Sequence, residues 1–130
     1  MNITILDVEN TTTTKNNKLH LDPYERGNTL VMVGIHELGS ENTSTYIFDH
    51  NDTTRSDDIV SNHYAVQSCL DRTDILVCHN VAYDLIWLWE SGFKYTKGVY
   101  DTMLSQYVMN KGINNSLSLS HLAEYYKCSY

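Results

Sequence analysis

Apolar and polar positions along the chain mark out three short extended runs before any helical period begins. From Asn2 to Glu9 the apolar residues Ile3, Ile5, Leu6 and Val8 fall on both faces of an extended segment. That pattern predicts a central strand covered on both sides and ending in acid. Thr29 to His36 is a second apolar run and Ser44 to Asp49 a third, with Gly39-Ser40-Glu41-Asn42 between them as a hairpin turn. Connections this short predict an antiparallel meander. The intervening stretch Asn10 to Asn28 is polar and threonine-rich, holds the single proline, Pro23, and carries no sustained period, so it reads as a loop.

The period then changes to that of a helix. Ser56 to Leu70 is predicted as a helix capped by Ser56, with Asp57 and Asp58 in its first turn and Ile59, Val60, Tyr64 and Val66 or Leu70 turned inward. Asp74 to His79 is another buried strand. It runs straight into Asn80 to Glu90, a strongly apolar helix that stops near Ser91-Gly92, where glycine suits a helix C-terminus. Tyr100-Asp101-Thr102 opens a third helix through Val108-Met109, and Ser116 to Tyr126, with Leu117, Leu119, Leu122 and Tyr125, makes a fourth. The order β-β-β-α-β-α-α-α predicts an α/β protein with a mixed sheet, an antiparallel three-strand meander followed by helices against the sheet.

At 130 residues the chain has room for one domain, read as residues 1–130, and not for two of ordinary size. A hydrophobic fraction of 42% allows enough burial to offset chain entropy. Cys69, Cys78 and Cys128 are odd in number and lack Cys-x-x-Cys spacing, which excludes a disulfide framework or zinc knuckle and leaves reduced thiols. No apolar stretch approaches the roughly 20 residues needed to span a bilayer and no leader is visible, so a cytoplasmic protein without a membrane partner is expected. The net charge of −7 argues against a protein that coats a duplex. It is compatible with an enzyme that meets one strand end through bound divalent ions, which supply positive charge locally.

The acids change the picture most. Alternation puts Ile3, Ile5, Asp7 and Glu9 on one strand face, so two carboxylates project together where the strand leaves the core. Hard cations such as Mg²⁺ take carboxylate oxygens, and such a pair can hold one ion or share it with a second. Taken alone, an Asp-x-Glu is equally two solvated acids at a strand end. Asn80 and Asp84, four apart at a helix start, lie on one face, with Asn80 also able to cap the helix. Both follow the carboxyl end of a strand, where ligand sites of open α/β sheets gather, so Asp84 can join Asp7 and Glu9. Its other reading is a carboxylate complementing the helix dipole. His79 reads equally as a hydrogen-bonded core histidine or a site residue, Asp101 more as a helix cap than as a fifth acid, and Tyr83, Trp87 and Trp89 more as core than as rings that stack bases.

Ile5-Leu6-Asp7-Val8-Glu9-Asn10-Thr11 and Val77-Cys78-His79-Asn80-Val81-Ala82-Tyr83-Asp84 resemble the first two motifs of the DEDD exonuclease superfamily. Tyr100-Asp101-Thr102-Met103-Leu104 and the run Ser116 to Tyr126 are similar to the helices that come next in proofreading domains of family A DNA polymerases, phage enzymes included. The resemblance spans nearly the whole chain and implies a ribonuclease H-like fold and 3′-5′ exonuclease activity on the 3′ end of single-stranded DNA, with a polymerase domain as partner. It implies two Mg²⁺ or Mn²⁺ ions: Asp7 bridging both, Glu9 on the nucleophile-side ion and Asp84 supporting the second through water. Asn80 and backbone near Asn10 would meet the terminal nucleotide. The family pattern calls for a fourth acid in a third motif beyond Tyr126, so the domain is expected to be C-terminally incomplete, with Tyr130 reading as a cut, one ion short of a ligand in the fragment, and the fragment's activity left open. An RNA-directed exonuclease and a catalytically silent exonuclease-like binding domain stand as alternatives. A PIN-like nuclease is not expected to begin with the meander.

Overall fold

The computed structural model describes residues 1–48, 56–113 and 115–129, and the side chains of all of these but 56 and 57. Five strands form one mixed sheet: β1 (Ile3–Asn10), β4 (Leu30–Glu37), β5 (Ser44–Ile47), β6 (Ile75–Cys78) and β7 (Gly98–Asp101), in the order β5-β4-β1-β6-β7. β4 pairs antiparallel with both β1 and β5, while β6 runs parallel to β1 and β7 parallel to β6. The antiparallel meander and the α/β class expected from the sequence are both present, in a ribonuclease H-like arrangement. Asp49 and the cap assigned to Ser56 lie outside what the structure describes.

The core lies on one side of this sheet. Leu6, Val8, Val33, Ile35, Leu76 and Cys78 project from it onto helices α1 (Ser56–Arg72) and α2 (Val81–Glu90). There they meet Val66, Cys69 and Leu70 of α1 and Trp87 and Leu88 of α2, and Phe48 and Phe93 close the end with rings edge to face at 5.7 Å. Each fully buried aliphatic contributes roughly 1.5–3 kcal/mol relative to exposure. Buried polar atoms are matched: the Thr4 and Thr73 hydroxyls lie 2.7 Å apart and Thr73 Oγ1 donates to the Cys69 carbonyl at 2.7 Å. The helical phase of α1 differs from expectation at two positions. Val66, Cys69 and Leu70 face inward with Ile59 packed beside them, whereas Val60 and Tyr64 are exposed because they sit on the opposite side of the 3.6-residue repeat.

α2 ends as glycine at position 92 suggests. Gly92 adopts φ +91, its N–H donates to Trp89 O and the Phe93 N–H reaches back to Leu88 O at 2.9 Å, a Schellman ending with Phe93 and Leu88 both buried.

Three expectations are corrected. β1 is central but covered on one side: Leu6 and Val8 are buried, while Ile5 is 42% exposed and Asp7 and Glu9 share its open face. The reason is that α1 and α2 both pack on the same side of the sheet, and α3 (Thr102–Met109) and α4 (Leu119–Tyr125) contain no buried residue. The stretch Asn10 to Asn28 is not a plain loop. It contains a hairpin, β2 (Thr13–Lys15) and β3 (Lys18–His20), turned by Asn16 and Asn17 with φ 51 and 59. Tyr100-Asp101, expected to open a helix, completes strand β7 instead, and α3 starts at Thr102. Among the described residues no helix is long and apolar enough to cross a membrane.

Candidate active site

Asp7 and Glu9 leave the sheet on its open face near the end of β1. Asp7 is paired across the ladder with Gly34. Cross-strand partners share a face, so the missing side chain of Gly34 leaves the flank of the Asp7 carboxylate clear. Just beyond Glu9 the β1–β4 register slips, Glu9 pairing with Met32 and Asn10 with Leu30. A bulge of this kind twists the strand end and re-aims the side chains beyond it. Partial burial raises the Asp7 pKa, the largest influence, against the opposing effects of His79 and the Val8 N–H.

Asp84 comes to the same strand from the other side. β6 pairs with β1 only as far as Ile5 with Val77, so further along β1 the backbone on that side has no strand partner among the described residues. The Asp84 carboxylate fills that place, Oδ1 accepting the Val8 N–H at 3.1 Å from a residue only 2% exposed. Burial, reinforced by the charge of Asp7, pushes the Asp84 pKa up to about 7. Asp7 and Asp84 therefore flank Val8, one on the open face and one in the seam between β1 and α2. Among the described residues no three His, Cys, Asp or Glu side chains converge as a ready metal cluster.

The strand-to-helix junction is organised differently from expectation. Asn80 takes a left-handed conformation, φ 72, and its side chain makes no capping hydrogen bond, so it is exposed at the start of α2 rather than used as a cap. The cap comes from β7. Asp101 Oδ1 accepts the Asn80 N–H at 3.0 Å and Oδ2 the Val81 N–H at 3.1 Å, while Oδ1 also accepts Met103 N–H at 2.9 Å and Leu104 N–H at 3.2 Å. One carboxylate thus caps both α2 and α3. Burial pulls its pKa upward, but the four N–H donors outweigh that and hold it below the ordinary aspartate value. Asp101→Ala is expected to lower stability by about 2 kcal/mol, as loss of two caps implies, with Asp101→Asn costing less; urea unfolding of the three proteins checks it.

His79 joins the last helix to this junction. Its Nε2 lies 2.7 Å from the Leu117 carbonyl and its Nδ1 2.9 Å from Thr102 Oγ1, a hydroxyl that itself donates to the Cys78 carbonyl at 3.3 Å. Asn10 is held too: Tyr83 donates its hydroxyl to Asn10 Oδ1 at 2.6 Å, and Asn10 Nδ2 donates to Thr11 O at 2.8 Å. Trp87 is core and donates Nε1 to Leu21 O at 3.2 Å, whereas Trp89 is 47% exposed. Sequence reasoning weighed Tyr83 only as a core or base-stacking ring and missed its bond to Asn10, along with Gly34 and the double capping by Asp101.

The family model of the 3′-5′ exonuclease of family A DNA polymerases matches residues 20–128. The matched span contains Asn80 and Asp84 and begins after Asp7, Glu9 and Asn10. No curated protein matches the chain.

Proposed function

The chain belongs to the 3′-5′ exonuclease family of family A DNA polymerases, and on that footing we propose that it hydrolyses the terminal phosphodiester of single-stranded DNA from the 3′ end, as the proofreading part of a polymerase. Its catalytic and metal-holding residues in this reading are Asp7, Glu9 and Asp84, with Asn10 and Asn80 meeting the substrate. The observation that carries it is the approach of Asp84 to β1 at Val8, between the two acids of the strand.

The donor chemistry fits hard divalent ions, since every candidate ligand is a carboxylate. A pair of buried or half-buried acids with raised pKa values is relieved by nearby positive charge. Two Mg²⁺ or Mn²⁺ ions, when bound, would supply an activated water and charge stabilisation at the departing 3′ oxygen. The chain's own part is positional. Asp7 and Glu9 offer oxygens on an open face, with space beside Asp7 at Gly34. Asp101 fixes the backbone that carries Asn80, whose exposed amide can hydrogen-bond a sugar or phosphate oxygen. Tyr83 fixes Asn10 at the strand end.

With the domain in a chain that supplies the third-motif acid, a 5′-labelled single-stranded oligonucleotide incubated with Mg²⁺ or Mn²⁺ is expected to shorten one nucleotide at a time from its 3′ end, faster as DNA than as matched RNA. The charge of −7 and the lack of a converged three-acid cluster among the described residues favour a second reading, a silent domain that binds a strand without cutting it. Strand binding with no shortening would select it.

A further inference from the structure

A cleft of about 400 Å³ lies between the segment after β3 and the outer side of α2. Leu19, Leu21 and Tyr24 form one wall, and Tyr83, Ile86 and Trp87 the other. The walls are built before any ligand arrives. Leu21 O accepts from Trp87 Nε1, Asn28 Nδ2 donates to the carbonyls of His20 at 3.1 Å and Asp22 at 2.9 Å, and Asp22 Oδ1 accepts the N–H groups of Tyr24 and Glu25, each at 3.0 Å. Segment 20–25 is therefore pinned to α2 and to itself, which lowers the ordering cost of binding.

Tyr83 links the cleft to the acids: it lines the cleft, precedes Asp84 in the chain and bonds Asn10, the residue after Glu9. Its charge selects the occupant. Among the described residues no Lys or Arg lines it, Asp22 does, and Glu90 lies close enough to the Tyr24 phenol to raise its pKa. A phosphate is repelled there, whereas a flat neutral ring finds aromatic and aliphatic faces on which to stack. We propose that this cleft receives an unpaired nucleobase of the strand whose 3′ end lies at Asp7 and Glu9, with Tyr24 as its exposed stacking face. The phosphates of that strand stay outside, toward the open face of β1. This specificity site rests on the exonuclease reading above and extends it.

The test is the affinity, by fluorescence anisotropy, of a labelled single strand and of the same strand with one abasic position moved stepwise from the 3′ end. Tyr24 is 69% exposed, so its replacement leaves the core intact. Tyr24→Ala is expected to weaken the normal strand by about tenfold, Tyr24→Phe to retain binding, and one abasic position to weaken the parent by the same factor with no further loss in Tyr24→Ala. Strands that bind and are trimmed equally by parent and Tyr24→Ala would overturn the cleft alone. Strands that bind neither protein would overturn the exonuclease reading and the cleft together.

Discussion

Asp7→Ala is expected to slow 3′-terminal hydrolysis by about a thousandfold or more while moving the unfolding free energy by no more than about 0.5 kcal/mol. Both effects come from the same geometry. Asp7 stands on the open face of β1, across from Gly34, and is exposed there. Its removal leaves the ladder between β1 and β4 intact, because that ladder uses backbone only. The loss is an oxygen pair at the strand end, in the reading where Asp7 touches both ions. Initial rates on a 5′-labelled strand, together with urea unfolding, separate the two effects. A rate within a few-fold of the parent would remove Asp7 from the catalytic set.

The second large effect is a pH dependence of stability carried by Asp84. Burial is the main cause of its elevated pKa of about 7, against an ordinary aspartate value of 3.8. Between about pH 4 and pH 7 the folded chain holds a proton that the unfolded chain has released. Stability without divalent ions therefore falls as pH rises through that window and levels off above it. About three pH units at roughly 1.4 kcal/mol each give at most about 4 kcal/mol. Asp101, with its lowered pKa, acts in the opposite direction and below that window, its stabilisation being lost as pH falls under about 4. Asp84→Asn keeps an oxygen for the Val8 N–H but cannot ionise, so above pH 7 it should be more stable than the parent, with little difference near pH 4. Urea midpoints at about pH 4.5 and 8 in chelator measure this. Equal pH slopes for the two proteins would contradict it.

The parts of the fold that could be read from sequence were those set by local periodicity. The alternation through Ile3 to Glu9 marked the strand, the run Thr29 to His36 its antiparallel neighbour, and the apolar burst after Asn80 the helix ended by Gly92. The β2–β3 hairpin escaped because Thr13 to Lys15 and Lys18 to His20 are polar strands lying off the core, although Asn16-Asn17 is a two-residue turn pair that signals one. β7 escaped because its four residues owe their extension to pairing with β6, a long-range fact that no local pattern records. For the same reason Asp101 could be read as the cap of α3 but not of α2. The uncovered face of β1 was misread since Ile3 and Ile5 look like core by composition alone. At the candidate site, the shared face of Asp7 and Glu9 was legible from the period-two rule. The locking of Asp84 onto Val8 was not, because it depends on where β6 stops.

The central claim is that the acids at the end of β1 hold divalent ions. Calorimetric titration of Mn²⁺ into the chain and into Asp7→Ala tests it most directly. Saturable binding to the parent that is lost in the variant is the expected result; indistinguishable heats from the two proteins would contradict the claim.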